Sequence, residues 1–291
     1  MTAYYLQLIV NGIIAGSIYA MFAVGLTMVY GVFKFINFSH GELITWGAYL
    51  GLMFTSPPFS LPLYQAAVPA LAITVALGLA QDWFIYRPLR QSNPVSLLIA
   101  SIGLSYLMRN AIRLFWGSDF QTFNLPVARG LSFGGIYITI PQLFMVTAAV
   151  VFLTILYLLF TRTLLGKSLR AASDNMELAD IMGINMTRVT VTVWVLASVF
   201  AGTGGILLAM DTNMDPMMGM SSLIKAFAAV LLGGAGNVWG ALVGGLFIGI
   251  AENVSVAFIS PGYKDFISFA LIFILLLFRP TGIFGIKGGV R

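Results

Sequence analysis

Apolar runs of about 20 residues recur along the whole chain, separated by short polar stretches. Runs of that length predict helices that cross a membrane. They fall near 6–30, 42–56, 62–85, 94–115, 141–160, 189–210, 221–235, 237–258 and 264–279. The runs at 42–56 and 221–235 are short for a crossing, so each is expected to be tilted, broken or re-entrant. No series of ten-residue alternating strands is present, which argues against a membrane barrel. The fold class expected is an all-α polytopic membrane protein of about 8–9 segments. It forms one transmembrane domain over residues 1–291, with a cytosolic loop at 162–188 and an external loop at 116–140. In the external loop YITI (137–140) alternates weakly, which leaves a short surface hairpin and an irregular loop both open.

Composition agrees with this pattern. The chain is 59% hydrophobic and 9% charged, against about 25% charged in soluble domains. The 31 glycines suit membrane helices that pack backbone against backbone. The absence of cysteine excludes disulfides and thiolate metal sites. Excess Lys and Arg is scattered at the flanks of apolar runs and reads as an orientation signal, with no nucleic-acid surface. The first basic residue is Lys34, so residues 1–30 are expected to be a span and not a cleaved leader.

The basic residues divide unequally. Lys34, Arg87, Arg90, Arg162, Lys167, Arg170, Arg188, Arg279, Lys287 and Arg291 fall on one side, and Arg109, Arg113, Arg129, Lys225 and Lys264 on the other. The first set is expected in the cytoplasm, which puts the carboxyl terminus inside and, with nine crossings, the amino terminus outside.

The longest polar interruption, Arg162 to Arg188, holds four of the 15 basic and three of the 10 acidic residues. Asp174 and Glu177 have capping-box spacing, Gly183 sits where a helix would stop, and Leu178, Ile181 and Met182 fall at i, i+3 and i+4. A short amphipathic helix is expected there. It is too short to stand alone in water, so it needs a partner protein, its own membrane domain or the lipid interface. The GKS triplet (166–168) lacks the first glycine of a phosphate loop, Thr161 standing in its place, and follows a span instead of a strand. Nucleotide is therefore expected on another subunit.

Three other features carry polar or small residues into apolar surroundings. In NFSHGE (37–42), Asn37, Ser39, His40 and Glu42 gather near the inner face. They suggest either gating or a plain polar turn, with Asn37 and Ser39 as caps and Gly41 permitting a bend. In 237–258, Gly240 and Gly244 lie on a small-residue face. Glu252 lies roughly on the same face and reads either as a pathway group or as an inter-helix hydrogen-bond partner. WGAYLG (46–51) and WGALVG (239–244) are similar enough to suggest an internal repeat. With one His, no Cys and dispersed acids, no catalytic set or metal centre emerges.

Six stretches together resemble the permeases of branched-chain amino-acid importers driven by ATP-binding cassettes: YGVFKFINFSHGE (30–42), IYRPLR (85–90), LLIASIGLSYLMRN (97–110), GKSLRAASDNMELADIMGIN (166–185), KAFAAVLLGGAGNVWGALVGGLFIGIAE (225–252) and YKDFISFALIFILLLFRPTGIFG (263–285). The resemblance implies a fold like the vitamin-B12-importer class and a place in the bacterial inner membrane. It implies a second homologous permease, two cytosolic ATPases that hold ATP and Mg, and an extracytoplasmic binding protein. It places the ATPase-coupling helix on Asp174–Gly183, with Leu178, Ile181 and Met182 entering the ATPase and Arg170 and Glu177 flanking. It implies a path between the two permeases lined partly by the glycine-rich segments. Relatives of this family carry branched-chain or other neutral amino acids, and others urea, amides or aromatic acids. From a different class, a proton-coupled secondary transporter would use Glu252 and His40.

Overall fold

A computed structural model describes residues 2–123, 130–133, 135–279 and 282–284. Arg129, Lys287 and Arg291, used above to orient the chain, lie outside the described residues.

The nine apolar runs are nine helices: α1 (Thr2–Phe33), α2 (Ser39–Thr55), α3 (Leu63–Leu89), α4 (Pro94–Trp116), α5 (Ile140–Arg162), α8 (Met186–Asp211), α9 (Met218–Gly233), α10 (Val238–Ser255) and α11 (Lys264–Phe278). Between α5 and α8 lie two short helices, α6 (Leu164–Asp174) and α7 (Met176–Ile181). The loop 116–140 holds an antiparallel hairpin, β1 (Gly130–Phe133) and β2 (Ile136–Thr139), with Gly130 opposite Thr139 and Phe133 opposite Ile136.

The ends of these helices follow from their first residues. Asn93 caps α4 by accepting from the Val95 amide, Asn185 caps α8 from Arg188, and Asn237 caps α10 from Trp239 and Gly240. Thr139 and Gln142 form a reciprocal capping box on α5. Each device satisfies amide donors that the helix leaves without a partner. The basic connection expected at 86–90 is largely helical. The chain passes through a π turn at Asp82–Tyr86 and stays helical to Leu89.

Six of the helices are long and apolar enough to cross a membrane, while α2, α9 and α11 have 17, 16 and 15 residues. Burial sorts them. The most apolar window of α1 is 89% buried, against 22% for α3 and for α5. So α1 and α2 form the centre, α8 packs along both, and α3, α4, α5 and α11 stand outside.

The centre is assembled through glycine. A Cβ on Gly12 or Gly16 would strike the backbone of Ile250 or Leu246, and one on Gly245 would meet the Ala20 backbone at 2.5 Å. These contacts run antiparallel, so α1 and α10 lie side by side over most of their length. Gly47 meets Gly202, and Gly41 meets Gly219, which joins α2 to α8 and to α9. Without a hydrophobic force between helices in lipid, such close backbone approach supplies the cohesion. Gly245→Val is therefore expected to cost roughly 1–3 kcal/mol by overpacking. The melting temperature of the detergent-purified chain measures it, with Gly262→Ala, whose added Cβ meets nothing within 4 Å, as the unchanged control.

Gly41 corrects an expectation. It does not supply a bend, since it sits inside α2 and serves the close contact with Gly219. Arg109 and Lys225, assigned above to one side of the membrane, are buried or half-buried within α4 and α9, where each pairs with a carboxylate. The two WG hexapeptides share a glycine-on-glycine contact, Gly47 on Gly202 and Gly240 on Gly233. Their places differ, Trp46 being in the second turn of α2 and Trp239 in the first of α10.

The two ends of the molecule are distinct. At one, the Gln7 side chain binds the Tyr137 backbone, and Gln121 pairs with Met214. At the other, Gly31 meets Ser173 and Gly236, and the Ile283 amide donates to the Leu232 carbonyl. The loop 162–188 and the described C-terminal residues therefore share one end.

Candidate functional site

The loop 162–188 is more ordered than its sequence pattern predicts. Thr163 ends α5 and caps α6, its hydroxyl accepting from the Gly166 amide at 3.0 Å. A Cβ on Gly166 would run into the backbone of Leu159 and Phe160, so glycine is required for this sharp turn. The GKS triplet is thus the first turn of a helix packed on α5, with no amide cradle for phosphate. Leu169 and Ala172 bury the inner face of α6, while Lys167 and Arg170 face out.

The expected cap is displaced by one residue. Asp174 ends α6, and Asn175 turns the chain and accepts from the Leu178 amide at 2.9 Å. The helix that follows, α7, spans Met176–Ile181 and so is shorter than Asp174–Gly183. Its far end is a Schellman motif: the Ile184 amide donates to the Ala179 carbonyl, and the Gly183 amide to that of Asp180, with Gly183 at φ +83°. Ala179 is the buried side of α7. Leu178, Ile181 and Met182 are 57%, 81% and 75% exposed. Three large apolar side chains thus stand bare on a locked two-turn element, with Glu177, Asp174 and Arg170 exposed around them. Lys34, at φ +56° after α1, donates its ammonium to the Ser173 carbonyl at 2.7 Å. Burial lowers its pKa below the ordinary lysine value, and the nearby Asp174 opposes that shift. The C-terminal end of α1 is thereby tied to α6, the helix that leads into α7.

NFSHGE lies deeper than expected. His40 touches Gly25, eight residues before α1 ends at Phe33, which is about 12 Å along the helix. The chain after α1 folds back into the bundle before α2 begins. Asn37 accepts from the Ser39 amide at 3.0 Å and from the Tyr86 hydroxyl at 2.9 Å, and the one proton of the Ser39 hydroxyl is shared between Asn37 at 2.7 Å and Gln81 at 2.8 Å. Asn37 therefore fastens the first turn of α2 to α3. His40 is fully buried, and neither of its ring nitrogens has a protein partner. Glu42 accepts from the Arg109 guanidinium, by Nε at 3.1 Å, and from Ser105 at 3.3 Å, which makes a buried ion pair between α2 and α4.

Beyond that pair, α4 presents Gly103, Tyr106, Asn110 and Arg113 on its exposed side. The Asn110 amide donates to the Tyr106 carbonyl one turn earlier. The same helix also exposes Ile99, Leu107 and Leu114, while α11 exposes Phe266, Phe269 and Phe273, and α5 Leu143, Phe144 and Val150. An amide and a guanidinium on a span's outer face should meet protein or water before lipid.

Glu252 and the glycines before it are taken up inside the chain. Gly240 and Gly244 meet Gly233 and Ala229 of α9, which fills the face expected to line a path. Glu252 accepts from the Tyr19 hydroxyl at 3.0 Å and from Ser268, and lies 3.4 Å from the Lys225 ammonium. Lys225 also reaches Asp265 at 3.0 Å. Four helices, α1, α9, α10 and α11, meet in this cluster. Among the described residues no three His, Asp or Glu groups gather as a metal site would require.

The family model for the permease component of branched-chain amino acid transport systems matches residues 8–276. The chain belongs to that permease family. It is 36% identical to the high-affinity branched-chain amino acid transport system permease protein BraD of Pseudomonas aeruginosa, over 97% of this chain and 96% of that one. It is also 36% identical to LivH of Escherichia coli K12, over the same shares. The probable LivH of Methanocaldococcus jannaschii is 29% identical over 96% and 93%. A chain of PsaBC from Streptococcus pneumoniae aligns over 96% and 92% at 14% identity, with a TM-score of 0.47.

In this permease the residues missed by the sequence pattern are partners. Arg109 completes Glu42, Lys225 completes Glu252, and Asn175 is the cap of α7. The signal for the α4 face was present, since Tyr106, Asn110 and Arg113 recur at helical spacing within an apolar run.

Proposed function

We propose that the chain is the transmembrane permease subunit of an ATP-driven importer in the bacterial inner membrane. Its substrate is a branched-chain or other neutral amino acid, as the names of BraD and LivH suggest. It works with a second homologous permease, two cytosolic ATPases and an extracytoplasmic binding protein. The observation that carries this reading is α7, which offers Leu178, Ile181 and Met182 to a partner on an element held rigid at both ends. ATP binding closes the ATPases, α7 moves with them, and α6 and the Lys34 link pass the movement to α1 and the bundle. The face of α4 with Tyr106, Asn110 and Arg113 lines the path against the second permease, Arg113 placing a cation where a substrate carboxylate passes. The end bearing α7 and the C-terminal residues is cytoplasmic, as Arg87, Arg90, Arg162, Lys167, Arg170 and Arg188 are all at that end.

The test is uptake of labelled leucine by proteoliposomes containing the assembled complex and its binding protein. Uptake is expected to require enclosed ATP and to survive a protonophore. Uptake that persists without ATP and collapses with the protonophore would overturn the reading in favour of a proton-coupled carrier.

A further inference from the structure

A groove of about 390 Å³ opens between the last turns of α3 and the first turns of α8, at the end that carries α6 and α7. Its chemistry changes along its length. The deeper part is lined by Leu79, Ala80 and Val191, and the mouth by Arg87, Arg90 and Thr187. Arg90 is already engaged: it pairs with Asp82 at 2.6 Å, donates to Thr190 at 3.3 Å and lies over the Phe33 ring. Arg87 has no carboxylate within ion-pair distance among the described residues. Its guanidinium rests on the Trp83 ring at 4.6 Å. Trp83 is 62% exposed, and Phe84 beside it is also exposed.

We infer that this groove binds the headgroup phosphate of an anionic phospholipid. Three observations converge. Arg87 stands two residues before α3 ends, so its charge is at headgroup depth while Leu79 lies two turns deeper, at acyl-chain depth. Trp83 and Arg87 form an amphipathic pair of the kind enriched where hydrocarbon meets water. Asp82 neutralises Arg90, so one positive charge remains at the mouth, which favours an anionic headgroup over a zwitterionic one. The exposed Trp83 and Val191, with Leu79, form a wall along which an acyl chain lies, and a soluble phosphate would make no use of it. The lipid so held splints α3 to α8, the helix that follows the α7 loop.

The test is native mass spectrometry of the full-length chain in its assembled complex, titrated with phosphatidylglycerol, with phosphatidylcholine and with inorganic phosphate. The unaltered protein is expected to bind phosphatidylglycerol in preference to phosphatidylcholine. Arg87→Gln is expected to reduce that preference about fivefold, Arg87→Lys to retain it, and Arg162→Gln, at the end of another helix, to leave it unchanged. Equal affinity of Arg87→Gln and the unaltered protein for phosphatidylglycerol would overturn the proposal. So would competition by inorganic phosphate as strong as that by the lipid, which would make the groove a soluble-anion site.

Discussion

Arg109→Ala is expected to destabilise the protein by about 3–5 kcal/mol, the largest single-residue effect anticipated. Glu42 is buried in the bundle, and the Arg109 guanidinium is its only cationic partner among the described ion pairs. Removing Arg109 leaves a carboxylate in a medium that cannot solvate it, together with the Glu42 oxygen that already lacks a partner. The cost is therefore the stranded charge and not the attraction alone. Replacing both residues, Glu42→Leu with Arg109→Leu, removes the charge as well as its partner and is expected to recover most of the loss. Melting temperatures of the three detergent-purified proteins decide the matter. A double variant no more stable than Arg109→Ala would show that packing, and not the unpaired charge, sets the cost.

Leu178→Asp combined with Ile181→Asp is expected to abolish coupled uptake while leaving the melting temperature unchanged. These side chains carry little internal load, being exposed on a helix whose buried contact is Ala179. On the reading proposed above they are the anchors in the ATPase. Buried apolar anchors at a protein interface are worth about 2 kcal/mol or more, so affinity for the ATPase should fall at least roughly thirtyfold. Co-purification of the ATPase and leucine uptake in proteoliposomes measure the two consequences. Full ATPase retention with full uptake would remove α7 from the coupling path. Placing the carboxylates on exposed positions keeps a folding defect from imitating the result.

The nine helices were legible because each rests on a local quantity, the length of an apolar run. The stop at Gly183 was legible to the residue because a Schellman turn is local, whereas Asn37 and Ser39, expected as caps, do not cap α2: Phe38 precedes it without a side-chain cap bond and Ser39 is its first residue. The one-residue displacement at α7 arose because Asp174 and Asn175 are both good capping residues, and because α6 was missed. Gly166, Leu169 and Ala172 do recur at helical spacing on its buried face, but α6 has so many polar residues that the stretch reads as an interruption between spans and not as an element of its own. The depth of NFSHGE was not legible. A polar cluster after a span reads as a surface turn unless it is known that α2 starts beside Gly25, inside the bundle.

By itself the sequence determined that this is a helical membrane protein, where its helices lie, that a short amphipathic element interrupts them, and which family it resembles. Those conclusions depend on composition and on spacing within one helix turn or one span. Only the tertiary structure decided which polar residues meet. Glu42 and Arg109 lie 67 positions apart, and Tyr19 and Glu252 lie 233 apart. Helical periodicity marks a face as buried without naming the helix that covers it, so the partner of a buried charge is a property of the packing. The glycines make the same point. Gly240 and Gly244 announce a close contact, and only the assembled bundle shows that α9 fills it, leaving the outer face of α4 to meet whatever lies beyond the chain.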